Sequence, residues 1–212
     1  MDQNVKLHTE LLGKATVEAL KKNCFQAEYL PDAASAKKRL LEMIPAGASV
    51  GFGGSATIKY LDIKEELAKR NCVCYDHNAA KDPEEAQEIR RKQLTCDVFL
   101  SGSNAITRDG RLYNVDGRGN RVAAMIFGPR EVIIVAGANK IVANLEEAEE
   151  RVYGYAAPIN NIRIGTGNPC VRIGHCMDCS TPKRICNVAT IFHKCPVEMK
   201  TTVLVVGEAL GY

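Results

Sequence analysis

No run of about 18 apolar residues occurs in this chain without an interrupting charge, so a membrane-spanning helix and a membrane partner are not expected. The opening "MDQNVKLHTELLGKATVEAL" has no basic segment followed by an apolar core, which predicts a cytoplasmic protein without a secretory leader. One-sided charge is also missing. Lysine plus arginine number 28 against 25 aspartate plus glutamate, and runs such as "IKEELAKR" alternate in sign. Nothing in that balance calls for a nucleic-acid partner. Internal repeats and low-complexity linkers are absent too. A composition of 46% hydrophobic and 25% charged residues over 212 positions predicts one globular domain spanning 1–212.

The two familiar phosphate-binding signatures are lacking as well. "VGFGGSAT" is not followed by Gly-Lys-Ser/Thr, and it does not follow G-x-G-x-x-G. What it does have is Gly51, Gly53 and Gly54 between an apolar rise and a helix capped near Ser55. Backbone N–H groups and the positive end of a helix dipole would face one spot there. A tight turn alone would also account for the glycines.

The rest of the chain alternates strands and helices. Leu7, Leu11, Ala15 and Ala19 are spaced as the apolar stripe of a first helix over 3–23. Its exposed apolar residues would suit a homodimer, whereas a stripe of this kind is ordinarily core. "FQAEYL", "ASVGF" and "CVCYDH" read as strands, and "PDAASAKKRLLEMI" and "PEEAQEIRRKQLT" as helices, the former capped by Asp32 and closed by Pro45. "EVIIVAG" has the unbroken apolar run of a strand buried on both faces, and "TTVLVVGEAL" returns to the same sheet. "NLEEAEERVYGYA" opens with the capping-box spacing of Asn144 and Glu147. The fold class predicted is α/β, a Rossmann-like, mostly parallel sheet with helices on both faces.

Between the strands lies "SGSNAITRDGRLYNVDGRGNRVAAMIFGP", rich in side chains able to orient a ligand. Asp109-Gly110 is a hairpin signal. Asn104 and Thr107 follow the apolar run "VFL", where ligands collect at strand C-termini in open α/β sheets. Asp116 and Asn120 are further polar residues of the segment.

This segment, with "GFGGSAT" at 51–57 and "VIIVAGANKIV" at 132–142, resembles the lactate-utilisation (LUD) domain family, which includes LutC- and YkgG-type proteins. The resemblance implies a fold similar to that of glucosamine-phosphate deaminases, ribose-phosphate isomerases and coenzyme A transferases. It implies a component of L-lactate or related organic-acid oxidation, working with iron–sulfur oxidoreductase partner subunits. Carried over by position, Gly53, Gly54, Ser55 and Thr57 form an anion-facing loop, and Asn104, Thr107, Asp116 and Asn120 the opposite wall of a pocket for a small organic or phosphorylated anion. No residue matches the catalytic glutamate of coenzyme A transferases or the base of the sugar-phosphate enzymes, so neither a nucleophile nor a base is assigned.

Five of the nine cysteines crowd into residues 168–196, an expected insertion between sheet elements. Their spacing is C-x5-C-x2-C-x6-C-x8-C. In a reducing compartment such density points to metal more than to disulfides. Cys170, Cys176, Cys179 and Cys186 make a four-thiolate set suited to an iron–sulfur cluster or, as the alternative, zinc, with His175 and His193 as substitute zinc ligands. Cys195 is left over as alternative ligand or bystander. Two other functions stay open: an enzyme binding a phosphorylated ligand or coenzyme A with structural zinc, and a redox-sensing regulatory module. Cys24, Cys72, Cys74 and Cys96 read as small hydrophobes, and His8 and His77 as surface residues.

Overall fold

The computed structural model describes residues 2–212. Its main sheet has six parallel strands in the order β1-β10-β7-β4-β2-β3: β1 Gln26–Leu30, β2 Ser49–Phe52, β3 Val73–Tyr75, β4 Val98–Ser101, β7 Glu131–Gly137 and β10 Lys200–Val206. The unbroken apolar strand is central, as its pattern predicts. Every residue of β7 is buried, between β10 and β4, with Ile134 in register with Val203 on one side and Ser101 on the other. Burial on both faces selects β-branched runs over alternation.

Helices cover both faces. On one, α2 (Ala33–Met43), α3 (Ala56–Leu61) and α4 (Lys64–Lys69) place Leu40, Ile58 and Leu67 over Val50, Leu100 and Ile133. On the other, α1 (Gln3–Lys22) and α6 (Asn120–Ile126) set Val17, Leu20 and Met125 against Phe99, Val132 and Val203, with α5 (Pro83–Gln93) beside β2 and β3. Asp32 caps α2 by accepting from Ser35 N–H at 2.7 Å. Asn144 caps α7 (Leu145–Arg151) through Glu147 N–H at 2.9 Å, while the Glu147 carboxylate reaches back one residue further than the usual box, to Ala143 N–H.

In α1 the predicted stripe is rotated. Gly13, Thr16, Val17 and Leu20 are buried, whereas Leu7 and Leu11 are 55% and 59% exposed. Gly13 decides this, because a Cβ there would stand 2.6 Å from the Tyr29 ring, so the helix seats its glycine where the sheet comes closest.

The second departure is a smaller four-stranded sheet, β8-β5-β6-β9, built from β5 (Ala105–Thr107), β6 (Leu112–Asp116), β8 (Ile141–Val142) and β9 (Val188–Phe192). Asp109-Gly110 makes the predicted hairpin between β5 and β6, with Gly110 at φ +83° packed against the backbone of α1. A third, small core lies under this sheet, where Tyr113, Val115 and Cys186 meet Ala148 and Val152. After α7 the chain runs through a π-helical turn (Val152–Ala156) into α8 (Ala157–Ile164) and α9 (Pro169–Ile173). The cysteine-bearing loop therefore ends at Asn187, because the next five residues are sheet. Among the described residues no helix is long and apolar enough to cross a membrane.

Candidate functional site

The C-terminal ends of β2, β4 and β7 are neighbours in the main sheet, and each runs into a small-residue turn: Gly53-Gly54-Ser55, Gly102-Ser103-Asn104 and the 3₁₀ turn Ala138–Lys140. These turns, with α6 and α8, enclose a cavity of about 380 Å³. That size suits a small molecule. Of the residues singled out from sequence, Gly53, Gly54, Ser55, Asn104, Asp116 and Asn120 line it. Thr57 and Thr107 stand outside. Thr107 is fully buried in the β5–β6 turn, where its hydroxyl oxygen accepts from Arg111 N–H at 2.9 Å and bonds the Asp109 carboxylate. Thr57 is fully buried beneath the glycine loop and donates to the Leu210 carbonyl at 3.0 Å.

Within the loop the N–H of Gly53 is already committed, donating to the Leu100 carbonyl at 2.9 Å. Ser55 caps α3 through Ile58 N–H, as its position predicts. Facing it, Gly102 leaves no room for a side chain unless Ser55 moves: a Cβ would lie 2.7 Å from Ser55 Oγ and 3.6 Å from Lys140 Nζ. The two strand-end turns therefore touch backbone to side chain, with Lys140 between them.

The opposite wall is held by one guanidinium. Arg121 donates to Asp116 at 2.8 Å, Asn114 at 2.6 Å, Asn104 at 2.9 Å and the carbonyls of Gly102 and Val115. Asp116 also accepts from the N–H groups of Arg121 and Val122, both at 3.1 Å, and so caps α6. Asn104 accepts from Val115 N–H at 2.9 Å as well. The carboxylate and the amide oxygens that looked free to orient a ligand are thus spent inside the protein, and they make the wall rigid.

The charge lining the cavity is mostly positive. Arg90, Arg118, Arg121, Lys140 and Arg163 line it, and Asp116, paired with Arg121, is the one acidic side chain among the lining residues described. Arg90 is pushed below its usual pKa by burial and then by Arg118. Lys140 is 3% exposed, donates to Thr57 Oγ1 at 2.9 Å, and has no carboxylate partner among the described residues. Burial, then Arg151 and Arg121, lower its pKa from 10.5 to about 7. In the sequence Lys140 is a lysine three residues past the end of the strand "EVIIVAG". Polar composition could not separate it from a surface lysine.

His77 also departs from its expected surface position. It is half-buried, with Nδ1 lying 3.1 Å from Gln93 Nε2, an amide that also donates to the Phe52 and Tyr75 carbonyls, and its other ring nitrogen is Nε2. That nitrogen lies 3.6 Å from where a Gly54 Cβ would be. Burial, then Arg90, holds the His77 pKa below the usual imidazole range.

The thiol loop adjoins this wall. Cys170 and Cys186 are buried, and Cys176 and Cys179 half-buried. Burial raises the Cys170 thiol, and Cys179 and Cys176 raise it further; burial also raises Cys186, against which Arg184 works while Cys176, Cys179 and Cys170 add to it. The four thiols are therefore electrostatic neighbours. As the side chains stand, no three His, Cys, Asp or Glu groups among the described residues are gathered closely enough to hold an ion. Asp178, at φ +46°, donates its N–H to Cys176 Sγ at 3.3 Å, and Arg184 spans the loop by donating to the carbonyls of Cys179 and Cys186. Cys195 is elsewhere. It packs on the core between α1 and the main sheet, with its N–H on the Asn23 carbonyl at 2.8 Å and its thiol on the Met199 carbonyl at 3.4 Å.

No curated protein matches the chain. A solved structure described as a DUF162 family protein from Deinococcus radiodurans, at 1.70 Å resolution, aligns with 13% identity over 95% of this chain and 98% of that one, at a TM-score of 0.49. The family model for the LUD domain matches residues 13–206, nearly the whole chain and every strand of the main sheet, and the protein belongs to the LUD domain family.

Proposed function

We propose that this protein is a component of L-lactate or related organic-acid oxidation that binds a small anion in the cavity at the strand ends and holds an iron–sulfur cluster on Cys170, Cys176, Cys179 and Cys186. The observation that carries the reading is the charge of the cavity: Arg90, Arg118 and Arg163 line it without a carboxylate partner among the described residues, beside the buried amine of Lys140. A cavity so lined favours carboxylates or phosphates over neutral or cationic ligands. Family membership favours an organic acid such as lactate.

The donor set suits the cluster chemically. Four thiolates are the soft ligands it takes, the Asp178 N–H already points at the Cys176 sulfur, and the Arg184 guanidinium, paired with the Asp178 carboxylate at 2.7 Å, stands in the same loop. A bound cluster supplies one-electron redox capacity. The protein's own contribution is to bury two of the four thiols and to seat the loop on the cavity wall. The reading leaves Cys195 out of the ligand set, and oxidoreductase partner subunits would exchange electrons at the exposed side of the loop.

Anaerobic purification with iron, zinc and acid-labile sulfide analysis tests it, together with thermal shifts in L-lactate, pyruvate and inorganic phosphate. Iron, sulfide and a visible absorbance bleached by dithionite are expected, with stabilisation by at least one of the anions. A colourless protein carrying stoichiometric zinc would replace the cluster with a structural clip. A lack of any anion effect would remove the pocket.

A further inference from the structure

Lys140 is placed in a manner that structure alone does not require. Its neighbour Thr57 has a single hydroxyl proton, and that proton is directed at the Leu210 carbonyl at 3.0 Å. The Thr57 oxygen therefore acts only as acceptor toward Lys140, at 2.9 Å, and satisfies one of the amine's positions. Lys140 lines the cavity, and its Nζ sits between the close-packed turns at Gly102 and Gly211, whose Cβ atoms would lie 3.6 and 3.5 Å from it. The residue is 3% exposed, so bulk solvent hydrates its amine little. The charged groups facing it are Arg151 at the end of α7 and Arg121 on α6, both cations. Asp116 is held by Arg121, and Arg151 donates to the carbonyl of Asn104 at 2.7 Å, without a carboxylate of its own among the described residues.

A lysine aimed into a cavity among other cations is costly when charged and empty-handed. An anion arriving in the cavity reverses that cost, because it supplies the opposite charge and accepts the free N–H groups. We infer that Lys140 is the receptor for the ligand's negative group, and that docking of a carboxylate or phosphate is coupled to uptake of one proton by its amine. The balance is simple: neutral amine, a proton from solvent and the anion give an ammonium–anion pair, with no covalent bond made or broken. Thr57 acts through Lys140 as a positioning residue, which gives the glycine-loop threonine a role that does not require it to touch ligand. The inference rests on the reading of the cavity as an anion site.

Calorimetric titration of the whole protein with L-lactate, pyruvate and inorganic phosphate, each at about pH 8 in two buffers of unequal ionisation enthalpy, reads proton uptake directly. Close to one proton per bound anion is expected, and the tighter of the carboxylate and phosphate arms identifies the ligand chemistry. Lys140→Met should lose the uptake and about tenfold or more in affinity; Lys140→Arg should bind without uptake. In parallel, the ¹³Cε resonance of Lys140 in lysine-labelled protein, assigned by its loss in Lys140→Met, should titrate near neutrality in the free protein and cease to do so when the anion is bound. Thr57→Val should shift that midpoint. Binding without proton uptake, uptake that survives in Lys140→Met, or a free-protein resonance titrating like an ordinary lysine overturns this inference and leaves the anion pocket standing. Failure of all three anions to bind overturns both.

Discussion

The backbone N–H of Asn187 donates to the carbonyl of Asp116 at 2.9 Å. This one bond joins the last residue of the thiol loop to the residue that caps α6 and anchors the cavity wall. The contact continues on both sides of it. Asn187 Nδ2 donates to the Gly117 carbonyl at 3.0 Å, and Ile185, beside Cys186, lines the cavity. A Cβ on Gly117 would lie 3.0 Å from the Ile185 backbone. One residue thus separates a thiol from the space a ligand would fill, and the π-helical turn adds a second link, since Tyr153 accepts from Cys176 N–H at 3.2 Å while Val152 and Ala156 line the cavity.

Arg121→Met is expected to destabilise the fold by about 3–5 kcal/mol. Both side chains of the Arg121–Asp116 pair are nearly buried, at 12% and 8% exposure, so removing the cation leaves a poorly hydrated carboxylate with only the N–H groups of residue 121 and Val122. Arg121 also donates to Asn104, Asn114 and two carbonyls, all of which lose a donor together. Urea denaturation followed by circular dichroism measures the loss; a change under about 1 kcal/mol would mean that the wall is held by something else.

Gly102→Ala tests the close approach of two strand ends. The new methyl would stand 2.7 Å from Ser55 Oγ, which must swing away and release its cap on α3. Loss of the cap costs about 1 kcal/mol. The larger expected effect is on ligand, because the methyl also points at Lys140 Nζ. Thermal stabilisation by the preferred anion should fall away while the variant stays folded, and an unchanged shift would place the ligand elsewhere.

Much of this arrangement was legible from sequence, and the gaps have physical causes. The parallel sheet could be read because β7 and β10 are buried on both faces and their composition records it. The smaller sheet could not, because β8 has two residues and β5 three, too few for periodicity, and β9 pairs with β6 across more than seventy intervening residues. In the site, the glycine turn and the polar central segment were recognisable by residue type. Which polar groups remain free is decided by pairing: Asp116 and Asn104 are taken by Arg121, and Thr107 by its own turn. Lys140 and His77 carry no local mark, since burial by residues far along the chain is what changes their chemistry.

The ligand set of the thiol loop is separable by single substitutions. Cys186→Ser and Cys179→Ser are expected to lose most bound metal, since each removes one of four neighbouring thiols. Cys195→Ser should keep it in full, because that thiol packs on a different core and bonds the Met199 carbonyl. Iron, zinc and sulfide per chain, measured side by side after anaerobic purification, decide the matter. Metal loss in Cys195→Ser equal to that in Cys186→Ser would show that the loop rearranges to recruit the fifth thiol.

The buried lysine also makes a prediction about stability that needs no ligand. Folding holds the Lys140 pKa at about 7, below its ordinary 10.5, so between those values the unfolded chain carries a proton on this amine that the folded chain has shed. The state that binds more protons gains as pH falls, so stability rises with pH across that window. Below about pH 7 both states are protonated and the penalty of the buried charge is present in full; above about pH 10.5 neither is, and the penalty is gone. Lys140→Met has no such group. The variant should therefore be more stable than the natural protein at pH 7, and its advantage should shrink by up to about 1.4 kcal/mol per pH unit as pH is raised toward 10. Because every other lysine titrates alike in both proteins, the difference between their urea midpoints at each pH isolates Lys140. A difference that stays constant from pH 7 to 10 would show that the amine keeps an ordinary pKa, and with it that the cavity is wetter and less enclosed than the packing around Thr57 and Gly102 implies.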